Sequence, residues 1–389
     1  MAFPLRTIVA LTGVLGLVTV AACGAKSAVL TGAEEEPPTP PRVSLPEPTG
    51  EYAVGGTEFH LVDAEREDPW VGGERELMVT MWYPTEDDTG ERAPYLTDAE
   101  AEATVAELGR DDLPAESLVQ VDTHTSPNTA PIDETALPLV LFSPGSGLSR
   151  VWASSLATEL ASHGFAVAGI DHRNEAAPVE FPDGLVEECA GCQAKDWDLG
   201  ARTRAADVTF LLDELERGEV LEWSPALDTG AVGMIGHSWG GSAVAQSMLD
   251  EDRVAAGINL DGPYYASQLQ GEIGRPLALL ANDQGNPWEG WDERWEGLTG
   301  WRQWIRVTDS GHSNALDKGV VMDRLGLRDL LTPEQWRAQF GDLEPEHGVR
   351  LTRDYSTGFF DHHLRGEEQP ILDDPQSVHP ELVEVGPEE

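Results

Sequence analysis

Short apolar runs alternate with amphipathic stretches through most of the chain. Eight apolar runs predict β-strands, at about 58–62, 75–83, 137–142, 165–170, 231–235, 254–260, 276–281 and 303–307. Apolar residues at helical spacing predict helices near 98–108, 152–160, 201–215, 239–249 and 354–364. This alternation is typical of an α/β fold whose sheet is mostly parallel and doubly wound, with helices on both faces. The first two strands are expected to pair antiparallel at one edge of the sheet.

The ends of the chain differ in composition from this core. Arg6 precedes an apolar run that ends at Ala22, the pattern of a signal peptide. A stretch rich in Pro and Glu follows and predicts a solvated tether. The segments predicted are a lipoprotein signal peptide, a tether, one folded domain and an acidic tail, over residues 1–22, 23–50, 51–370 and 371–389. Within the domain, residues 94–138 are polar and acidic and predict a surface insertion.

The net charge excludes one class of partner. The 389 residues include 25 Lys and Arg against 70 Asp and Glu, a formal charge of −45. Such a surface repels phosphate backbones, so we expect no nucleic-acid binding. A hydrophobic content of 40% is enough for a sizeable core.

The strongest chemical signal is the sequence GHSWG at residues 236–240. An apolar run precedes it and a helix-forming run follows, which is the strand, sharp turn and helix of a nucleophile elbow. Ser238 at the apex would have a strained backbone, and Gly236 and Gly240 have no Cβ to crowd it. The sequence therefore predicts Ser238 as a catalytic nucleophile.

An activated serine needs a histidine base and a carboxylate that orients it. In an open parallel sheet such groups lie after strand ends, in the chain order serine, acid, histidine. His312 is the one histidine after Ser238 that directly follows a predicted strand. Two carboxylates compete for the acid, because Asp261 and Asp283 each end a strand. The spacing alone leaves both open.

The oxyanion hole needs two backbone N–H groups. One is expected from Trp239, directly after the nucleophile. The other is expected from Ser146 in the glycine-bearing turn after the third strand, since Pro144 has no N–H. Trp288 follows a strand end and is a candidate for the rim of an acyl pocket. This chemistry needs no metal or cofactor.

The three cysteines fit an exported protein. Val20-Ala21-Ala22-Cys23 looks like a bacterial lipobox, which implies that Cys23 carries lipid; the alternative is an ordinary secretory signal cleaved after Ala22. We therefore expect a protein anchored by lipid to the outer face of the cell membrane, or secreted. Cys189 and Cys192 remain as a pair and are expected to close a small disulfide.

Several segments together resemble the platelet-activating factor acetylhydrolase family of α/β-hydrolases. They are 139–145 (LVLFSPG), 160–165 (LASHGF), 171–173 (DHR), 236–241 (GHSWGG), 259–261 (NLD) and 310–312 (SGH). The resemblance implies a serine hydrolase of short-acyl esters, lipid-derived ones included, and it favours Asp261 as the acid. Asp283 stays open, since dienelactone-hydrolase-like relatives use that position. Pro144 stands where many relatives have histidine, so substrate preference does not carry over.

Two other functions are consistent with the sequence. One is a broader carboxylesterase or polyester hydrolase that uses the same residues. The other is a non-catalytic surface lipoprotein that keeps only the fold. Oligomeric state cannot be inferred from the sequence.

Overall fold

The computed structural model describes residues 43–110, 112–132, 136–283 and 290–386. The strands are β1 (Ala53–Glu67), β2 (Glu74–Thr85), β3 (Thr125–Pro127), β4 (Leu137–Ser143), β5 (Ala166–His172), β6 (Val179–Glu180), β7 (Val186–Glu187), β8 (Leu227–His237), β9 (Val254–Leu260), β10 (Leu277–Ala281), β11 (Arg302–Val307) and β12 (Leu382–Val385). The α-helices are α1 (Asp98–Leu108), α2 (Glu116–Val119), α3 (Ser154–Ser162), α4 (Ala190–Ala194), α5 (Trp197–Arg217), α6 (Trp239–Asp250), α7 (Trp291–Glu296), α8 (Asp317–Arg324), α9 (Pro333–Phe340), α10 (Pro345–Arg365), α11 (Pro370–Asp373) and α12 (Pro375–Val378).

Ten of the described strands form one sheet, in the order β12-β11-β10-β9-β8-β4-β5-β2-β1-β3. The six neighbours from β11 to β5 in that order are parallel. Strand β2 pairs antiparallel with β5, and β1 pairs antiparallel with β2. The eight predicted strands correspond to β1, β2, β4, β5 and β8 to β11. The predicted fold class, a mostly parallel α/β-hydrolase sheet, is confirmed.

The strand order reverses direction beside β4. The chain goes from β4 to β5 on one side and later returns to β8 on the other side. A crevice opens at such a switch point, outside the carboxyl ends of the two strands. Ser143 at the end of β4 and Ser238 just after β8 therefore border the same crevice.

Helices cover both faces of the sheet and bury its apolar side chains. On one face α5 and α6 contribute Leu211, Leu212, Val244 and Met248 to a buried cluster. On the other face α3 and α10 contribute a second cluster that includes Leu156, Leu160, Phe359 and Phe360. Each of these side chains is at most 3% exposed. Because apolar packing fixes the sheet on both faces, the strand ends that carry the polar groups are held in register.

The C-terminal prediction is wrong over residues 371–386. Instead of an acidic tail, this segment forms most of α11, then α12 and β12. Strand β12 pairs antiparallel with β11 and completes that edge of the sheet. The three apolar residues Ile371, Leu372 and Leu382 are buried, and their burial holds the segment although acidic residues surround them. The predicted insertion likewise contains a tenth strand of the sheet, β3, which pairs parallel with β1.

The predicted tether ends earlier than residue 50. Val43 and Leu45 are 3% and 2% exposed, and their backbone pairs with Asp122 through two hydrogen bonds of 2.8 and 2.9 Å. Residues 43–50 are therefore part of the folded domain. The two buried apolar side chains and the two backbone hydrogen bonds attach this otherwise polar segment to it. The predicted signal peptide and residues 23–42 lie outside the described residues. Within the described ranges no helix is both long and apolar enough to cross a membrane.

A buried carboxylate joins two helices near the site. Asp317, the first residue of α8, is 1% exposed, and its Oδ2 accepts the backbone N–H of Ser155 at 3.0 Å. It thus satisfies an amide in the first turn of α3, which has no capping side chain of its own. Burial raises the pKa of Asp317 to about 7, and the hydrogen bonds from Ser155 and Ser154 offset this effect only in part.

This raised pKa predicts a pH-dependent stability. The unfolded carboxyl titrates near 3.8, so between pH 4 and 7 the folded protein binds more protons than the unfolded chain. The free energy of unfolding should therefore fall as pH rises, by on the order of 2 kcal/mol between pH 5 and 8 for this group. Asp317→Asn keeps the acceptor oxygen and removes the charge. The free energy of unfolding of this variant, relative to wild type, should therefore increase as pH rises from 5 to 8. Urea unfolding at several pH values measures this free energy. Glu102→Gln, at an exposed position on α1, is the control; equal pH slopes for all three proteins would contradict the prediction.

Candidate active site

Ser238 lies at the apex of the turn between β8 and α6. Its backbone has φ 53° and ψ −119°, a conformation that non-glycine residues rarely adopt. The turn is held because Ser238 N–H donates to the carbonyl of Leu260 at 2.9 Å. A Cβ on Gly236 would collide with the backbone of Gly240, and one on Gly240 would collide with Ser143. Only glycine fits at these two positions, as the motif predicts.

His312 and Asp261 meet at the same edge of the sheet. Asp261 directly follows β9, and His312 lies in the loop after β11. The Nδ1 of His312 is 2.5 Å from Oδ2 of Asp261. Because a carboxylate only accepts, Nδ1 carries the proton, and the lone pair of the neutral ring is on Nε2. This is the orientation that a general base requires.

The backbone of Asp261 turns the carboxylate toward His312. Its φ is 55°, and its N–H donates to Leu280 at 2.8 Å. Asn282, just after β10, donates to both carboxylate oxygens, from its backbone N–H at 3.1 Å and its side-chain amide at 2.6 Å. The carboxylate is therefore fixed from two sides, and Asp261 is only 5% exposed.

Asp283 has a different environment. Its Oδ2 accepts the backbone N–H of Asp309 at 3.0 Å, and its Oδ1 is 3.5 Å from Arg306. These contacts bridge the turns after β10 and β11, and the side chain is 36% exposed. The structure thus brings Asp261 to the imidazole and gives Asp283 the role of a turn former.

Two contacts hold the backbone of the His312 loop. His237 is buried, and its Nε2–H donates to the carbonyl of His312 at 2.8 Å, with the two ring centroids 4.8 Å apart. Burial, with the charge of His312, lowers the pKa of His237 to about 3, so it is neutral and suited to packing rather than to proton transfer. On the other side, the His312 N–H donates to Ala338 in α9 at 3.1 Å. A Cβ on Gly311 would lie 2.5 Å from the Phe340 nitrogen, so this approach to α9 requires glycine.

The predicted oxyanion donors are the amides of Trp239, directly after Ser238, and of Ser146, directly after Gly145. Trp239 is the first residue of α6, where amides have no intrahelical acceptor. Ser146 is in the turn after β4, and the next amide, of Gly147, donates to Glu175 at 2.9 Å. A Cβ on Gly145 would lie 3.3 Å from the Cβ of Ser238, so this turn passes directly beside the candidate nucleophile.

A buried polar network contacts the start of the turn after β4. Arg204 on α5 donates to the Pro144 carbonyl and, at 3.3 Å, to the Ser143 hydroxyl. That hydroxyl also lies 3.0 Å from His172 Nε2, and His172 Nδ1 lies 2.7 Å from Asp207. The guanidinium of Arg204 also lies 4.4 Å from the centre of the Trp239 ring. Arg204 thus holds the two residues that precede Gly145 in this turn.

Charge pairing keeps this network ionised in the interior. Burial works against the charge of Asp207, but Arg75 and the hydrogen bond from His172 hold the pKa of Asp207 well below its usual value. Arg75 donates to Asp207 at 2.7 Å and to Glu175 at 3.0 Å, and Glu175 accepts from Arg204 at 2.6 Å. Burial lowers the pKa of His172, which therefore stays neutral between its two partners.

Cys189 and Cys192 form a disulfide that contacts the oxyanion turn. The Ser146 hydroxyl lies 2.8 Å from Sγ of Cys192, and Sγ of Cys189 lies 3.1 Å from the Glu175 carbonyl oxygen. The sequence predicts this pairing as a small disulfide. It also packs directly against the turn that carries Ser146.

The sequence does not point to three residues that support the site, Arg204, Asp207 and Asn282. Arg204 and Asp207 lie on the apolar face of α5, so charges inside an apolar stripe were the available signal for the network. Nothing in the sequence marks Asn282 as a partner of Asp261, apart from its position at the end of a strand, before Asp283. Trp288 and Cys23 lie outside the described residues. Among the residues the structure describes, no cluster of His, Cys, Asp and Glu is suited to holding a metal ion.

Comparisons with known proteins find similarity to acetylhydrolases and esterases. Residues 39–190 match the family model for platelet-activating factor acetylhydrolase, isoform II. The chain is 27% identical to a probable 1-alkyl-2-acetylglycerophosphocholine esterase from Arthroderma benhamiae, over 87% of this chain and 93% of that protein. It is also 27% identical to the platelet-activating factor acetylhydrolase of Gallus gallus, over 62% of this chain and 66% of that protein. A solved ferulic acid esterase from Streptomyces cinnamoneus is similar with a TM-score of 0.79 and 37% identity, over 88% of this chain and 99% of that chain.

The contacts of the two carboxylates predict different effects of the same substitution. Asp261→Asn should lower kcat by about 10³- to 10⁴-fold, because an amide no longer fixes the imidazole tautomer or stabilises its charge. Asp283→Asn should change kcat by less than about threefold, since it only alters a turn contact. Steady-state hydrolysis of p-nitrophenyl acetate measures both, with melting curves to verify folding. A larger loss in Asp283→Asn would show that Asp283 is the acid.

Proposed function

The chain belongs to the platelet-activating factor acetylhydrolase-like family of α/β-hydrolases and is a carboxylic ester hydrolase; on that premise we propose that it cleaves short-acyl esters through Ser238, His312 and Asp261. The observation that carries this proposal is the 2.5 Å contact between His312 and Asp261, at the same sheet edge as the strained turn of Ser238. Each of the three residues follows the carboxyl end of a different strand.

The proposed reaction passes through an acyl-enzyme. The Ser238 oxygen attacks the ester carbonyl, and His312 Nε2 takes the hydroxyl proton while Asp261 stabilises the imidazolium. The amides of Ser146 and Trp239 bind the oxyanion, and each such donor contributes roughly 10²- to 10³-fold in rate. The imidazolium then gives its proton to the leaving alcohol. Water, deprotonated by His312, attacks the acyl-enzyme and releases the acid and the free serine.

The names of two relatives support an acetyl-sized acyl group. The Arthroderma protein is named a probable 1-alkyl-2-acetylglycerophosphocholine esterase, and the Gallus protein is named a platelet-activating factor acetylhydrolase. The ferulic acid esterase similarity favours a second candidate, an esterase of aromatic acids. The two candidates share the reaction and differ only in the acyl group that the site accepts.

An acyl series on wild type and Ser238→Ala tests the proposal. We expect kcat/KM to be highest for p-nitrophenyl acetate or butyrate and to fall for longer chains and for methyl ferulate. Ser238→Ala should lose at least about 10³-fold in kcat, because no nucleophile replaces the hydroxyl. Ser247→Ala is the matched control, a serine on α6 whose hydroxyl has no partner among the described residues. If Ser238→Ala keeps a tenth of the wild-type activity, Ser238 is not the nucleophile. A preference for methyl ferulate would select the second candidate, an esterase of aromatic acids.

We also propose that the protein is exported and anchored by lipid on Cys23. The lipobox-like sequence before Cys23 supports this. Stable anchoring takes two or more acyl chains, since each buried CH₂ contributes about 0.8 kcal/mol. Mass spectrometry of the protein from its native membrane should find an acylated cysteine as the first residue. An unmodified Cys23, or a chain with residues 1–22 still attached, would contradict the anchor.

A further inference from the structure

The disulfide loop, residues Cys189–Cys192, contacts the turn after β4. The Ser146 hydroxyl lies 2.8 Å from Sγ of Cys192, and the hydroxyl is the donor because a disulfide sulfur carries no hydrogen. A Cβ on Gly147 would lie 3.4 Å from the same sulfur. The sulfur therefore packs against two successive residues of the turn, and one of them carries an amide that is proposed to bind the oxyanion.

The same loop contacts the other proposed donor residue. Gly191 is buried, and a Cβ at this position would lie 3.3 Å from the ring of Trp239. The ring is enclosed, because Trp239 is only 2% exposed and its Nε1–H donates to the Trp197 carbonyl at 2.8 Å. The disulfide loop thus lies against both residues whose amides are the proposed oxyanion donors.

Glu175 joins the disulfide loop to the turn. Its carbonyl accepts the N–H of Gly147 at 2.9 Å and lies 3.1 Å from Sγ of Cys189. The carbonyl of the preceding residue, Asn174, accepts the N–H of Gly191 at 2.8 Å. Because Glu175 is fully buried, the loop and the turn are held on one fixed piece of backbone.

Apolar burial does little to hold the disulfide loop in place. In α4, which includes Cys192, Gly191 is the one buried residue, and it has no side chain to contribute. Residues 193–196, which follow the loop, are exposed. The cross-link therefore has a large part in keeping the loop closed. Both cysteines are half-buried, so a small dithiol can reach the bond between them.

We propose that the disulfide loop positions both amides of the oxyanion hole, so that full turnover requires the oxidised cysteine pair. The inference rests on the proposed function, because it takes the amides of Ser146 and Trp239 as the oxyanion donors. A donor lowers the barrier only when it is aimed at the place where the oxyanion forms. Reduction leaves both amides in the chain and releases only the constraint on their positions. The expected loss is therefore smaller than the roughly 10²- to 10³-fold that deletion of a donor costs.

Reversible reduction tests this positioning role. Dithiothreitol converts the disulfide to two thiols and is itself oxidised to its cyclic disulfide; it is removed under nitrogen before the assay, and thiol titration verifies the reduction. With p-nitrophenyl acetate, kcat should fall by about tenfold while KM changes by less than about twofold, because the lost interaction exists only in the transition state. Reoxidation should restore kcat.

A variant without the cross-link is the matched control for the reductant. Cys189→Ala/Cys192→Ala should have the low kcat both before and after treatment with dithiothreitol. It keeps Cys23, so any effect of the reductant on that residue would appear in this variant too. Melting curves verify that the variant and the reduced wild type are folded at the assay temperature.

A transition-state analogue separates positioning from a general loss of stability. Ser238 attacks the carbonyl of an alkyl trifluoromethyl ketone, its proton passes to His312, and the carbonyl oxygen becomes an alkoxide in the oxyanion hole. The inhibition constant should rise on reduction by about the same factor as kcat falls. Ser146→Ala keeps the amide but loses the contact with sulfur, so reduction should cost this variant less than it costs wild type. Ser247→Ala should show the full wild-type loss.

The results distinguish this inference from the proposed function. Hydrolysis that does not depend on Ser238 would contradict the proposed function. Hydrolysis that depends on Ser238 but is unchanged by reduction would overturn the positioning role alone. A fall in kcat that the inhibition constant does not follow would also overturn the positioning role, and an equal loss in Ser146→Ala and wild type would overturn it for Ser146.

Discussion

The contact between Asp261 and His312 is the interaction on which the rest of the site depends. It joins the ends of β9 and β11 across β10, whose following residue Asn282 donates to the same carboxylate. The carboxylate can reach the ring only because Asp261 has a positive φ, as does Ser238 on the neighbouring strand. Strain of this kind costs roughly 1–3 kcal/mol per residue and persists only where the surroundings fix the backbone. Here they do so through β-ladder hydrogen bonds that continue past the strand ends, from Ser238 to Leu260 and from Asp261 to Leu280.

The oxyanion turn depends on a different kind of support. Buried ion pairs are often no more stabilising than an apolar core, because each charge must be desolvated. The network of Arg75, Asp207 and Arg204 is therefore better understood as a device for position than for stability. Arg204 holds the Pro144 carbonyl, and His172 and Arg204 together hold the Ser143 hydroxyl. These contacts fix the backbone just before the amide that is proposed to bind the oxyanion.

The sequence allowed the fold and the strand-end residues to be predicted because both follow from local patterns. Short apolar runs located eight of the strands, and the chain order of serine, acid and histidine selected His312. The choice between Asp261 and Asp283 could not follow from local pattern, since both end a strand; the positive φ of Asp261 and the turn contact of Asp283 are tertiary facts. Strand β12 was missed because it has four residues in an acidic segment and gains its stability only by pairing with β11.

The acidic excess and the local charges of the site act over different distances. Buried carboxylates such as Asp207 and Asp171 have arginine partners, Arg75 and Arg150, so the uncompensated negative charge lies mainly at the surface. Surface charges are screened over about 8 Å at physiological ionic strength, whereas buried pairs are screened much less. The surface charge therefore governs which molecules approach, and disfavours anions.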